Sequence, residues 1–181
     1  MALIAIADDI RIELKFGLLT GALVCLYVLG EFLLGFHTTR LDIGAYSGYG
    51  ASVIPFVVYF FALRRWKLDR GGGFLTMRQG VRSGLLMSMI AATVLAGFML
   101  AYNAFINPSF LDKNIDMARI ELERQGKLPG EIRDTLEYLR VSNSFPQQSV
   151  FILAGVTFEG ILVSAILAYF LQKRPPVIDE V

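Results

Sequence analysis

Two glutamates stand inside long apolar stretches of this sequence. Glu31 interrupts VCLYVLGEFLLGF at residues 24–36, and Glu159 interrupts VFILAGVTFEGILVSAILAYFL at residues 150–171. An ionised carboxylate in such surroundings costs on the order of several kcal/mol unless it is paired, hydrogen-bonded or hydrated. The chemistry open to such an acid is therefore the binding of a proton or a cation.

A helical wheel places Glu31 on the small and polar side of its segment. The residues that share its half of the wheel, at about 100° per residue, are Gly17, Thr20, Val24, Tyr27 and Gly35. Glu31 is therefore expected to point into a helix bundle rather than at lipid. Because no Lys or Arg lies inside an apolar stretch, its expected partners are Asn103 and either Tyr27 or Tyr102.

Three interpretations of the two acids stay open. Glu31 and Glu159 could be separately satisfied acids that fix the register of their helices. They could instead meet, if their helices are neighbours, and share a proton or hold a cation. They could also contact another subunit.

The elements that position these acids are four membrane spans. The chain has 181 residues, of which 55% are hydrophobic, and its mean hydropathy is +0.55. A helix needs about 20 apolar residues to cross a bilayer. The pattern predicts one all-α membrane domain over residues 1–181, and its four transmembrane helices cover about 16–36, 46–63, 81–105 and 145–171.

The basic residues predict how the spans are oriented. The loop at residues 64–80 and the start of the third span carry six basic residues against Asp69, namely Arg64, Arg65, Lys67, Arg70, Arg78 and Arg82. Basic loops stay in the cytoplasm. Lys15, Lys173 and Arg174 agree, so both termini are predicted inside, with the first span acting as its own signal anchor and Pro175 with Pro176 ending the fourth.

The loop at residues 107–144 is predicted to be outside and to form an amphipathic helical hairpin. Ser109 and Asp112 suggest a capping box, and Gly126 suggests a stop. Pro129 and Glu131 suit the first turn of a second helix. The apolar faces of the two helices are Leu111, Ile115, Ala118 and Leu122, and Ile132, Leu136 and Leu139.

Small residues recur at four-residue spacing in three of the spans. The predicted packing positions are Gly17 and Gly21 in the first span, Gly80, Gly84 and Ser88 in the third, and Gly160 and Ser164 in the fourth. Small residues at this spacing allow helix backbones to approach closely in lipid. They either hold this bundle together or receive a helix of a partner subunit.

Several classes of function find no support in the composition. A net charge of +1 leaves no basic surface for nucleic acid. The chain has one cysteine, Cys25, and one histidine, His37, so we expect no disulfide, no metal site, no cofactor and no catalytic triad. His37 and Arg40 are interpreted as residues of the outer interface. Tyr46, Tyr49, Tyr59 and Trp66 are interpreted as interfacial aromatics.

The segment GGFLTMRQGVRSGLLMSMIAATVLAGFMLAYNAFINPSFL, residues 72–111, resembles a known family. The features that carry the resemblance are Arg64 with Arg65, the Gly-Gly-Phe turn, the Asn-Pro-Ser-Phe stretch from Asn107, the charged helical pair, and the Gly160-to-Leu167 pattern. The chain is similar to domain of unknown function 4199, found chiefly in Bacteroidetes. The resemblance implies a four-helix protein of the bacterial inner membrane. It implies no activity and no site residues.

The sequence therefore favours a non-enzymatic accessory or scaffolding protein, in contact with the bilayer and with a membrane-protein partner or with further copies of itself. The alternative is a small oligomeric transporter or channel component that binds a proton, a cation or a lipid through Glu31 and Glu159. An enzyme that acts on lipids is the third hypothesis.

Overall fold

A computed structural model describes residues 11–142 and 144–173 of the chain. The predictions about Arg174, Pro175 and Pro176 concern residues outside these ranges. The helices are α1 (Arg11–Leu33), α2 (Leu41–Ser47), α3 (Val53–Asp69), α4 (Met77–Ala101), α5 (Phe110–Arg124), α6 (Pro129–Ser142) and α7 (Phe145–Leu171). A 3-10 turn, Gly48–Ser52, joins α2 to α3, and a π-helical turn, Tyr102–Ile106, extends α4.

Four of these segments are long and apolar enough to cross a membrane. They are Arg11–Leu33, Leu41–Asp69, Met77–Ile106 and Gln147–Leu171. At most 33% of each apolar window is buried inside the protein, so most of its side chains face outward. That exposure is expected of helices whose surroundings are lipid.

The spans form a bundle in which α4 packs closely against α1 and α7, and α3 contacts the same two helices. The helices α1 and α7 therefore lie at opposite corners. A core of Val58, Tyr59, Leu63, Met87 and Val163 fills part of the space between them.

The first span differs from its predicted bounds at both ends. It starts at or before Arg11, the first residue that the structure describes, and ends at Leu33 instead of residue 36. Gly35 has a φ of +82°, and the amide of Phe36 donates to the carbonyl of Glu31 at 2.9 Å. This is the Schellman stop of a helix, and it turns the following residues back over the helix end.

The second and third spans are both longer than predicted. The second covers Leu41–Asp69 instead of 46–63, and Pro55 lies in the first turn of α3, where the helix does not need its N–H. The third starts at Met77 instead of residue 81, because Thr76 and Gln79 form a capping box. The fourth helix has the predicted bounds, 145–171.

Two helices, α5 and α6, connect the third span to the fourth and contact each other. The capping box predicted at Ser109 and Asp112 is wrong, because the Ser109 side chain makes no capping hydrogen bond. Gly126, with a φ of +71°, ends α5, and the amide of Lys127 donates to the carbonyl of Leu122 at 3.1 Å. The Glu131 carboxylate accepts from the amide of Leu128 at 3.2 Å at the start of α6.

The small residues of α4 contact those of α7. Gly80 faces Ala168, Gly84 faces Ser164 and Ser88 faces Gly160, so that the two helices run antiparallel with the same four-residue step. On another side of α4, a Cβ at Gly17 would stand 2.8 Å from the carbonyl oxygen of Met87, and one at Gly21 would stand 2.8 Å from Cβ of Val94. The space beside these glycines is thus occupied by other residues of the same chain.

Candidate functional site

The Glu31 carboxylate is buried at the end of α1 and has two partners. The Ser47 hydroxyl, at the end of α2, donates a short hydrogen bond to its Oε1 atom. Nε2 of His37 lies 3.5 Å from Oε2. The Schellman turn at Gly35 places His37 there, because it reverses the chain over the last turn of α1.

The other side of His37 faces the third span. The hydroxyl of Tyr102 lies 2.7 Å from Nδ1, and Asn107 donates to the backbone carbonyl of His37 at 3.1 Å and to the hydroxyl of Tyr102 at 3.3 Å. Tyr102 and Asn107 bracket the π-helical turn, which the amide of Asn107 closes by donating to the carbonyl of Tyr102 at 2.9 Å. The cluster Glu31, His37, Tyr102 and Asn107 therefore ties the first loop to the third span.

The position of His37 corrects its interpretation as an interfacial residue. Its exposed fraction is 9%, and the ring packs 4.8 Å from that of Phe110, measured between centroids. Burial lowers the pKa of His37, and the carboxylate of Glu31 opposes part of that shift. His37 is therefore neutral at pH 7, and with its proton on Nε2 the Tyr102 hydroxyl donates to Nδ1.

Two of the three predicted partners of Glu31, Asn103 and Tyr27, donate hydrogen bonds to other groups. Asn103 donates to the side-chain carbonyl of Gln148 at 2.7 Å, and so joins the third span to the fourth instead of reaching Glu31. The hydroxyl of Tyr27 donates to the backbone carbonyl of Ser47 at 2.7 Å. Tyr27 therefore supports Ser47, which in turn holds Glu31. Of the tyrosines considered, Tyr102 is linked to Glu31 through His37.

Glu159 lies apart from this cluster. It lines a cavity of about 140 Å³ to which all four spans contribute, including Thr20 and Val24 of α1, Tyr59 of α3 and Leu95 of α4. Glu31 is not among the lining residues and stands about two helical turns beyond Val24. The structure therefore does not bring the two acids together in one site.

The Glu159 carboxylate makes no hydrogen bond or ion pair within the described ranges 11–142 and 144–173. Glu159 is half-buried and is one of the residues that line the cavity. The hydroxyl of Ser52 lines the same cavity and likewise has no hydrogen-bond partner among these residues. The cavity thus presents a carboxylate and a hydroxyl whose hydrogen-bonding capacity is unused.

Tyr59 forms part of the cavity wall and corrects a second interpretation. Its exposed fraction is 1%, so it is a core residue and not an interfacial aromatic, whereas Tyr46 and Tyr49 are 76% and 77% exposed. The hydroxyl of Tyr59 lies within reach of Ser88 on α4. Its ring and Pro55 close the cavity on the side of α3.

A third buried acid, Glu13, escaped the sequence analysis because the first span was predicted to begin after it. Its exposed fraction is 3%, and its carboxylate accepts from the hydroxyl of Ser83 at 3.0 Å and from Arg70 at 3.3 Å. At the same end of the bundle, Lys67 donates to the carbonyl of Leu171 at 2.8 Å. Leu75 and Lys173 pair through two backbone hydrogen bonds there.

Comparison with known proteins assigns the chain to a family. The family described as "Protein of unknown function (DUF4199)" matches residues 15–173. The match covers most of the chain, including most of the first span and all of the other three, and the chain belongs to this family. No curated protein and no solved structure gives a significant match.

Proposed function

We propose that this member of the family binds a proton or a monovalent cation at Glu159 and acts as a component of a small oligomeric transporter or channel of the bacterial inner membrane. The observation that carries the proposal is the Glu159 carboxylate, which faces a cavity among four spans and has no hydrogen-bond partner in the described part of the chain. An acid in that position needs a proton, a cation or water to offset its desolvation.

The surroundings of Glu159 favour an exchangeable partner over a structural one. Among the described residues, no Lys or Arg lines the cavity, and the polar side chains of the wall are those of Glu159, Thr20, Ser52 and Tyr59. Glu31, by contrast, is held by Ser47 and His37 and shares no wall with the cavity. We therefore assign the site to Glu159 alone and a structural role to Glu31.

The proposed orientation has both termini and the basic loop in the cytoplasm, with α5 and α6 outside. It is supported by the basic residues at the end of the bundle where Lys67 and Arg70 make their contacts. Single cysteines at Gly72 and at Lys127, in a Cys25→Ser background, test it with a membrane-impermeant maleimide on intact cells. Labelling at position 127 alone is expected, and labelling at position 72 alone would reverse the orientation.

Thermal unfolding in nanodiscs tests the binding of a proton or of sodium. The wild-type midpoint is expected to depend on sodium between zero and 150 mM or on pH between about 5 and 9, whereas that of Glu159→Gln is not. The pH series uses a His37→Gln background for every protein, because His37 titrates in the same range. Glu31→Gln is the matched control and is expected to keep the response of the wild type.

A flux measurement in liposomes tests the transport step. Proton or sodium flux through the reconstituted protein is expected to fall to the level of empty liposomes in Glu159→Gln and to persist in Glu31→Gln. Equal midpoints and equal fluxes in the wild type and Glu159→Gln would overturn the proposal.

A non-enzymatic accessory role is the second proposal. The small residues of α1, α4 and α7 do not support it, because they pack against other helices of the same chain. A cleft of about 910 Å³ between α5 and α6 does, because its apolar floor includes Ile115, Ile132 and Leu136. Its rim carries four basic residues against two acidic ones, which are Arg119, Lys127, Arg133 and Arg140, and Glu123 and Glu137.

This charge balance suits an apolar helix with an acidic edge, contributed by a partner subunit. Native co-purification tests the accessory role. A stoichiometric partner is expected with the wild type and with Arg124→Glu, whose side chain lies outside the cleft, but not with Arg133→Glu. Recovery of the same partner by all three proteins would rule out the cleft as its docking site.

A further inference from the structure

We propose that the cavity at Glu159 takes a small alkylammonium ion, an organic cation of about five or six non-hydrogen atoms with an apolar body. This inference rests on the proposed cation site and names the chemical class of its ligand. The juxtaposition that carries it is a carboxylate and a hydroxyl, those of Glu159 and Ser52, which have no hydrogen-bond partner among the described residues and lie in a mostly apolar wall.

The size of the cavity limits the ligand. Its volume of about 140 Å³ is close to the engineered cavity of about 150 Å³ that holds a benzene molecule. A ligand of about six heavy atoms therefore fills it. A single water would leave most of the apolar wall without contacts, and a lipid chain would not fit inside.

The wall chemistry favours a cation that has an apolar body. Most lining side chains are aliphatic or lack a polar group, among them Val24, Pro55, Leu95 and Val156. Contact with these side chains favours an alkyl group, because it removes apolar surface of the ligand from water. The ring of Tyr59 adds a surface on which a cation is stabilised.

Inorganic cations match the wall less well. Calcium takes about 6–8 oxygen ligands, and magnesium requires about six in an octahedral arrangement. The cavity offers two carboxylate oxygens and three hydroxyls, of which the Thr20 hydroxyl already donates to the carbonyl of Phe16 at 2.8 Å. An ammonium group needs only two or three acceptors, which Glu159 and Ser52 supply.

The charge balance agrees with an ammonium headgroup. Among the described residues, the cavity wall carries the single negative charge of Glu159 and no positive charge. A monovalent ammonium ion neutralises that charge in surroundings where a charge-assisted hydrogen bond is strong. Its N–H groups would donate to the carboxylate and to the Ser52 hydroxyl.

Thermal unfolding of the full chain in phosphatidylglycerol nanodiscs tests the ligand class, because these lipids carry no amine of their own. Isobutylammonium is the probe, isobutanol is its neutral counterpart, and sodium at the same ionic strength is the inorganic control. We expect isobutylammonium to raise the wild-type midpoint by about 5 to 10 °C at a hundredfold excess over its Kd, which is more than sodium raises it, and we expect isobutanol not to raise it.

Three variants locate the effect. Glu159→Gln is expected to lose the shift and Glu31→Gln to keep it. Ala51→Leu retains the carboxylate but fills the cavity, so it is also expected to lose the shift, and it serves as the test if Glu159→Gln does not fold. A shift of the same size in Glu159→Gln or Ala51→Leu would overturn the inference.

The outcomes separate the ligand class from the proposed function. If sodium or protons shift the midpoint through Glu159 and isobutylammonium does not, the cation site stands and the alkylammonium assignment is wrong. If no cation or proton acts through Glu159, both are wrong. Phosphatidylethanolamine nanodiscs without added isobutylammonium test a second source of the ammonium group. A higher midpoint in this lipid than in phosphatidylglycerol would identify a lipid headgroup as that source. It would contradict the proposal of a free ion.

Discussion

Nδ1 of His37 lies 2.7 Å from the hydroxyl of Tyr102, although 65 residues separate the two along the chain. This contact closes the end of the bundle, because Tyr102 belongs to the π-helical turn of the third span and His37 to the loop that follows the first. Asn107, which follows the π-helical turn, donates to the hydroxyl of Tyr102, and Phe110, at the start of α5, packs against the ring of His37. A change in the charge of His37 is therefore expected to affect the contact between the first and third spans.

The first prediction concerns pH. Burial keeps the pKa of His37 below its ordinary value near 6.5, so below that pH the unfolded chain binds a proton that the folded chain resists. Stability from this group is fully present above about pH 6.5 and is lost as the pH falls toward the lowered pKa. The unfolding midpoint in nanodiscs is expected to fall between pH 7 and pH 5.5.

His37→Gln tests this assignment, because His37 is the sole histidine of the chain. The comparison is made in a Glu159→Gln background, because the proposed site at Glu159 can also respond to pH. In that background the midpoint of the His37→Gln protein is expected to be nearly independent of pH in the same window. Tyr102→Phe removes the hydroxyl but leaves His37 in place, so its curve is expected to keep the slope at a lower overall stability. A His37→Gln protein with the full wild-type slope would assign the dependence to another group.

The second prediction concerns the seam between α4 and α7. A Cβ at Gly84 would collide with the side chain of Ser164, whereas one at Gly97, on the same helix, has open space around it. Gly84→Ala is therefore expected to destabilise the protein by about 1–3 kcal/mol through overpacking. Gly97→Ala is expected to be neutral or to stabilise by up to about 1 kcal/mol, because alanine is the better helix former.

Thermal or denaturant unfolding in the same nanodiscs compares the two variants. Equal effects of Gly84→Ala and Gly97→Ala would mean that α4 and α7 do not approach closely at this position. Such a result would return the glycines to the interpretation in which they receive the helix of a partner.

The spans and the small-residue spacing could be predicted from the sequence, because both depend on periodicity within one helix. The apolar run at residues 145–171 predicted α7 without error. The four-residue spacing of Gly80, Gly84 and Ser88 anticipated positions that contact a neighbouring helix, although not which helix. Pairings between distant segments could not be predicted in the same way.

Two errors show what the sequence left undetermined. The predicted first span includes Gly35, although a glycine near the end of an apolar run is also a signal for a helix stop. That stop determines where His37 lies. The burial of Tyr59 depends on its helix contacting both α1 and α7, which no local pattern encodes.

The third prediction concerns the start of α4. Thr76 and Gln79 satisfy each other's backbone amides, at 3.3 Å from the amide of Gln79 to Oγ1 and 2.8 Å from the amide of Thr76 to Oε1. Thr76→Ala is expected to cost about 1 kcal/mol. Ser144→Ala is the matched control, because Ser144 occupies the same position before α7 without a capping hydrogen bond from its side chain. Its unfolding curve should overlay that of the wild type, and a loss as large as that of Thr76→Ala would contradict the argument.

The fourth prediction compares a buried ion pair with an exposed one. Glu13 is 3% exposed and contacts Arg70 and Ser83, whereas Asp69, 2.5 Å from Arg65, lies on the surface. Glu13→Gln removes the negative charge beside Arg70 and is expected to lower the free energy of unfolding by about 2–3 kcal/mol. Asp69→Asn is expected to cost less than about 0.5 kcal/mol, because solvent screens exposed pairs.

The salt dependence of the two effects tests this difference, and the free energy of unfolding of each variant is measured at low and high salt. The Glu13→Gln effect is expected to persist at 0.5 M sodium chloride, since its partners are largely shielded from ions. If the loss of stability in Glu13→Gln disappears at high salt, Glu13 is in contact with solvent and is not buried at the end of the bundle.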